Sequence, residues 1–272
     1  MATQVRPTKA QRRDEARIMA ERMRAEQERK NKRQRTIVIG SVVAVLAVLA
    51  VLVAVILGEE GRSPLEEVEL SPQGSTATGA IPVGPQGIAG TAEGAADDAV
   101  VVSVYSDYLC GYCALFEELN ADTMAEMREA GDIVVEYHTI AIYSDSPLDM
   151  QLAASAALIA DRAPEQFLDF HHALMAYQPT IMEQQSISHE EIAGIARDVG
   201  VGTDVVTQLE SGEYVDGEGG YAPWVVAATD KASQDLGRLA TPTILIDGEM
   251  LDTQFNWQEE GWLDGAVEAA RG

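Results

Sequence analysis

The chain has 272 residues, with 19 Lys and Arg against 44 Asp and Glu, a net charge of −25, and two cysteines. So acidic a chain repels phosphate backbones, which argues against nucleic-acid binding, and one cysteine pair cannot make the disulfide framework of a small secreted scaffold. The charge is unevenly spread, with +7 on residues 1–36 and −32 on residues 58–272.

Residues 1–36 form a basic tail in which RRDEARIMAERMRAEQERK interleaves Glu with Arg. Such a stretch suits a charged helix near anionic lipid headgroups, or simply a topology signal. The run that follows, Ile37 to Leu57, is 21 residues without a charge, enough to cross a hydrocarbon core of about 30 Å as a helix. A cleaved signal peptide would have an apolar region of about 7–15 residues behind a short leader, whereas 36 residues precede this one. The run therefore reads as an uncleaved, single-pass anchor in contact with the lipid bilayer. Basic flanks stay on the cytoplasmic side, which places the N-terminus in the cytoplasm and the acidic bulk of the chain outside it.

Residues 58–98 hold 8 Gly and 4 Pro among 41 positions, the composition of a flexible spacer with a root-mean-square span of roughly 35 Å. The reading assigns 58–94 to this linker and 95–272 to a folded domain. Residues 81–94 have an alternative, because IPVGP (Ile81 to Pro85) also suits an edge strand of that domain.

Within the domain, Ala99–Tyr105 (AVVVSVY) is a β-branched run of strand length. It leads into a helical pattern carrying Leu115, Phe116, Leu119, Met124 and Met127, with Gly131 as its stop. Asp132–Ile142 reads as a second strand, and residues from about 148 to 236 read as helical. There Pro164 suits a first helical position, Ser188 with Glu191 fits a capping box, and Leu148, Leu152, Ala156 and Ile159 make a core stripe. Thr243–Asp247, Gly248 and Glu249–Asp252 read as a hairpin, and Trp257–Ala270 as a closing helix. No repeat at a solenoid period is present.

Both cysteines lie in SDYLCGYCALFEEL, Ser106 to Leu119. A thiol at a helix N-terminus faces unpaired N–H groups and the positive end of the helix dipole, which favour the thiolate. Cys110 is placed to be that nucleophile. Cys113, one turn on and near enough to bridge, is its resolving partner. Four histidines (His138, His171, His172, His189) leave open a different class, a tethered copper-handling or other metal-binding module using the same dithiol. None has ligand spacing to the CxxC, and adjacent His171 and His172 read as surface and partly packed residues.

The order strand, CxxC, helix, strand, helical block, hairpin and helix resembles the DsbA-like branch of the thioredoxin superfamily, over residues 81–272. The resemblance rests on YSDYLCGYC at the end of the first strand and on DLGRLATPTILIDG (Asp235 to Gly248) entering the third. It implies an α/β thioredoxin-like fold with a helical insertion, and protein-disulfide oxidoreductase activity at Cys110 and Cys113 without a bound cofactor. It further implies a cis peptide at Thr241–Pro242, facing the dithiol and binding an extended client segment. Extracytoplasmic proteins with cysteines would be the clients, and a separate redox partner would recycle the dithiol. Gly111–Tyr112 lacks the histidine of strongly oxidising members and looks more like the periplasmic isomerases, though no separate dimerisation domain is readable; oxidase, reductase and isomerase directions all fit. Relatives often carry a buried acid six positions before the first cysteine, where this chain has Val104. That leaves Asp107 as the candidate for proton transfer, or as a cap of the following turn, with Tyr112 as a further supporting residue.

Overall fold

The computed structural model describes Met19, Met23, Gln27 and residues 63–272 other than Ser144, Gly217 and Glu218. The apolar run 37–57 and the rest of the leader lie outside the described residues. Among the described residues no helix is long and apolar enough to cross a membrane.

A five-stranded sheet forms the centre. Its strands are β1 (Ile81–Val83), β2 (Val100–Ser106), β3 (Ile133–Thr139), β4 (Thr243–Ile246) and β5 (Glu249–Met250), in spatial order β1-β3-β2-β4-β5. Strands β2 and β3 are parallel and the other pairs antiparallel. All of β2 except half-buried Val101 is buried, which is why its sequence is a continuous apolar run rather than an alternating one. The β4–β5 connection is Asp247–Gly248, with φ of 49° and 81°, the two left-handed positions that a tight hairpin demands. Asp247 also accepts a hydrogen bond at Oδ1 from Val101 N (2.8 Å), tying the hairpin to β2.

Helix α1 (Gly111–Ala130) makes the crossover between the parallel strands and ends at Gly131, whose φ is 83°. The N–H groups of Gly131 and Asp132 close the end on the carbonyls of Arg128 and Met127, as the glycine stop predicts. The helical block between β3 and β4 is α2 (Pro147–Arg162), α3 (Phe167–Gln184), α4 (His189–Asp198), α5 (Thr203–Ser211), α6 (Glu213–Asp216) and α7 (Ala222–Leu236). Twelve of the 16 residues of α2 are buried, so this alanine-rich helix is the axis of the insertion rather than a surface element. The capping box at Ser188 and Glu191 is present in both halves. Pro164 opens a short 3-10 turn that leads into α3.

Two expectations need correction. Residues 63–80 do not behave as a flexible spacer: Leu65, inside a 3-10 turn at Pro64–Glu67, packs on the core with Val68 and Leu70, while Ile81–Val83 pairs with β3 at the sheet edge, the alternative that IPVGP offered. The glycines there serve close approach, since a Cβ on Gly74 would overlap the backbone of Gly90. Arg128 fastens the segment by donating to the carbonyls of Gly84 (2.8 Å) and Pro85 (3.1 Å). The closing helix α8 spans Trp262–Arg271, starting later than Trp257. Asp252 and Asn256 side chains accept hydrogen bonds from main-chain N–H groups two residues on, which favours turns over a helix.

Candidate functional site: a dithiol at a helix N-terminus

Cys110 is the N-cap of α1, with extended backbone dihedrals of φ −81° and ψ 113°. Strand β2 delivers the chain to this point. Asp107 Oδ1 accepts from Leu109 N (2.7 Å), and Gln178 of α3 donates to the Leu109 carbonyl (2.9 Å), so the connecting loop is held from both sides. Both cysteines are free thiols; Cys110 is half-buried and Cys113 fully buried.

The two thiols differ electrically. Cys110 is pulled down to about 5: the Cys113 thiol donates to its sulfur, burial opposes this, and the Thr241 hydroxyl and the N–H groups of Cys113 and Tyr112 add further donors. Cys113 moves the other way, because its bond to Cys110 holds its proton and burial penalises its charge. As a thiol, Cys110 instead donates to the Thr241 carbonyl at 3.4 Å. The Thr241–Pro242 peptide is cis, as the resemblance implies, and this loop, entering β4, is thus beside the nucleophile. Tyr112 is 64% exposed at the rim.

Val104, at the position of the relatives' buried acid, is fully buried. Behind the dithiol lies a carboxyl pair that sequence reasoning only half found. Asp107 Oδ2 accepts from Ile142 N (3.0 Å), and Asp149 Oδ2 accepts from the next amide, Tyr143 N (2.9 Å). The other oxygen of fully buried Asp149 has no partner except Asp107. Two carboxyl groups so placed share one proton. Asp149 carries it, pushed up to about 7 by burial and by the charge of Asp107. Asp107 is itself raised by burial, and its main-chain N–H faces the Cys113 sulfur. Asp107 therefore does cap the turn, and it also belongs to an ionisable pair.

His171 is wholly buried, a correction to its reading as a partly packed surface residue. It pairs with the Tyr108 hydroxyl at 2.7 Å and with Glu117 at 3.1 Å, while half-exposed His172 reaches the other Glu117 oxygen at 3.3 Å. His138 stacks on Tyr105 with centroids 3.8 Å apart, and His189 bonds Tyr214. The structure thus occupies the four histidines elsewhere. Among the described residues no three metal-ligating side chains converge.

A family model described as thioredoxin matches residues 88–264. Comparison with curated proteins finds no match. Among solved structures the chain is similar to MdbA from Actinomyces oris, a thiol-disulfide oxidoreductase, at 20% identity over 78% of this chain and 97% of that one, with a TM-score of 0.60. It is similar to oxidised DsbA from Mycobacterium tuberculosis at 25% identity, covering 71% and 93% of the two chains, TM-score 0.54. It is similar also to BdbD from Bacillus subtilis at 19% identity, covering 74% and 97%, TM-score 0.55. The matched segment runs from just after β1 into α8 and takes in the dithiol, the helical insertion and the cis-proline loop, so the chain belongs to the thioredoxin family and has the DsbA-like form of its fold.

Proposed function

We propose that the chain is a membrane-tethered thiol–disulfide oxidoreductase that exchanges disulfides with extracytoplasmic proteins through Cys110 and Cys113. The observation that carries this is the divided electrostatics of the dithiol: an accessible thiol drawn down to about 5 beside a buried one driven up. The tether is the apolar run 37–57, and the orientation follows from +7 before it and −32 after it.

The Cys110 thiolate attacks one sulfur of a client disulfide; a new sulfur–sulfur bond forms, the client bond breaks, and the departing client thiolate takes up a proton. Cys113 then loses its proton and attacks Cys110, which closes the intramolecular disulfide and frees the second client thiol. Run backwards, the same steps oxidise a client. The Asp107–Asp149 pair, which begins at the residue whose main-chain N–H faces the Cys113 sulfur, is the candidate acceptor for the proton of Cys113. The Thr241 loop and exposed Tyr112 flank the nucleophile where a client backbone would lie.

One experiment tests both halves. Cys113→Ala, expressed in cells, should accumulate mixed disulfides through Cys110, and Cys110→Ser should accumulate none. Protease added after permeabilising the outer layer should degrade the trapped complexes and spare the leader. Equal trapping by the two variants would refute the division of roles; a protected domain would reverse the topology.

A further inference from the structure

Between α1 and α3 lies an open groove of about 550 Å³ that the exchange reaction does not use. It starts at the nucleophile, since Gly111 and Gln178 line its upper end, and Gln178 holds the residue before Cys110. Down one wall, Leu115, Glu118 and Asp122 recur at helical spacing on α1; Met175 and Pro179 of α3 form the other. Pro179 has no N–H to offer the Met175 carbonyl one turn back, so that backbone acceptor is released from the helix.

The groove is acidic as well as apolar. Glu118 and Asp122 are exposed along its rim, Glu117 lies in its floor, and among the described residues no Lys or Arg lines it. Glu117 is 96% buried, at 4% exposure, and one of its carboxylate oxygens has no hydrogen bond; the nearby His172 nitrogen is within 3.3 Å but is likewise without one. Glu117 is thus shared between His171 and His172 beneath the groove, and the acidity a ligand can reach is that of exposed Glu118 and Asp122.

We propose that this groove binds a cationic side chain, Lys or Arg, of the client segment that carries the attacked cysteine. The proposal rests on the exchange reaction at Cys110. Its geometry also sets the spacing. With a rise of about 1.5 Å per residue, Glu118 and Asp122 stand about 12 and 18 Å along α1 from Cys110, and an extended client covers about 3.4 Å per residue. A cation three to five positions from the client cysteine therefore reaches the acidic rim, with its aliphatic stem on Leu115, Met175 and Pro179.

The test uses the full-length Cys113→Ala chain in detergent, with short cysteine peptides activated as thionitrobenzoate disulfides. Attack by the Cys110 thiolate forms the peptide mixed disulfide and releases coloured thionitrobenzoate. The peptides carry Lys, Ala or Glu four positions from the cysteine, on either side. At low ionic strength the Lys peptide should react on the order of tenfold faster than the Glu peptide, with the gap narrowing as salt rises. Glu118→Lys with Asp122→Lys should abolish or invert the preference, and Glu118→Gln with Asp122→Asn should reduce it. Asp230→Lys with Glu268→Lys, an equal charge change at exposed positions of α7 and α8 outside the groove, should leave it in place. Equal loss in the Asp230 and Glu268 double variant, or survival of the preference in both groove variants, would overturn the proposal, because only the net charge would then matter. Uncharged bis(2-hydroxyethyl) disulfide separates the two layers. If it reacts equally with every variant while the peptides show no discrimination, the groove proposal fails alone; no reaction at all would sink the exchange reaction and the groove with it.

Discussion

Cys110 and Cys113 are the same side chain one helical turn apart, and their difference comes from place alone. The first sits at the N-cap, open to main-chain N–H donors, and the second is sealed beneath it. Alkylation of the reduced protein across pH should show one reactive thiol with a midpoint near 5, reacting at its full rate by pH 7, and Cys113 should stay unmodified until the protein unfolds. A midpoint near the free-cysteine value of about 8.5 would show that the helix terminus does not stabilise the thiolate. The Asp107–Asp149 pair gives a second prediction, with the opposite sign to an ordinary salt bridge. Asp149 is raised to about 7 in the fold from about 3.9 unfolded, so its neutral form is favoured and stability falls as pH rises between those values. Asp149→Asn keeps a donor for Asp107 and an acceptor for the Tyr143 amide without ever charging. Its gain in urea midpoint over the parent should be largest above pH 7 and shrink toward pH 4. A gain that grew on acidification would mean that Asp149 is ionised in the fold.

At the scale of elements, the strands and helices follow from period and punctuation. The β-branched run of β2, the glycine stop after α1 and the Ser188–Glu191 box are local signals, and each appears where the residues place it. What the sequence hides is what the fold brings together. Asp149 is 42 positions from Asp107, and only two consecutive amides at 142 and 143 reveal them as a pair. His171 and His172 look alike in the chain, but about 100° of helix turn sends one inward to Tyr108 and Glu117 and leaves the other at the surface. Glycine misled most. Counted as composition, residues 63–94 suggest mobility; placed in the fold, Gly74 and Gly90 let two backbone segments touch. Gly74→Ala, at a φ of 72° and against the Gly90 backbone, should destabilise the domain by about 1–3 kcal/mol in urea unfolding while leaving the Cys110 alkylation midpoint unchanged. A neutral substitution would show that the Gly74 and Gly90 backbones do not meet.

For the whole molecule, the arrangement amounts to a thioredoxin fold whose reactive helix end is framed by the insertion on one side and the cis-proline loop on the other. Stabilising the Cys110 thiolate favours the reduced form, so the thiol's acidity and the dithiol's oxidising power rise together. Thiols at about 7 in thioredoxin and about 3.5 in DsbA accompany potentials of about −270 and −120 mV. A Cys110 drawn to about 5, with a neutral Gly111–Tyr112 pair and no histidine between the cysteines, belongs between them. The direct measurement is equilibration of the protein in glutathione redox buffers, with the fraction of Cys110–Cys113 disulfide read at each poise. The account predicts a reversible two-electron couple with a potential between about −270 and −120 mV. A dithiol that fails to equilibrate, or a potential outside those limits, would contradict it.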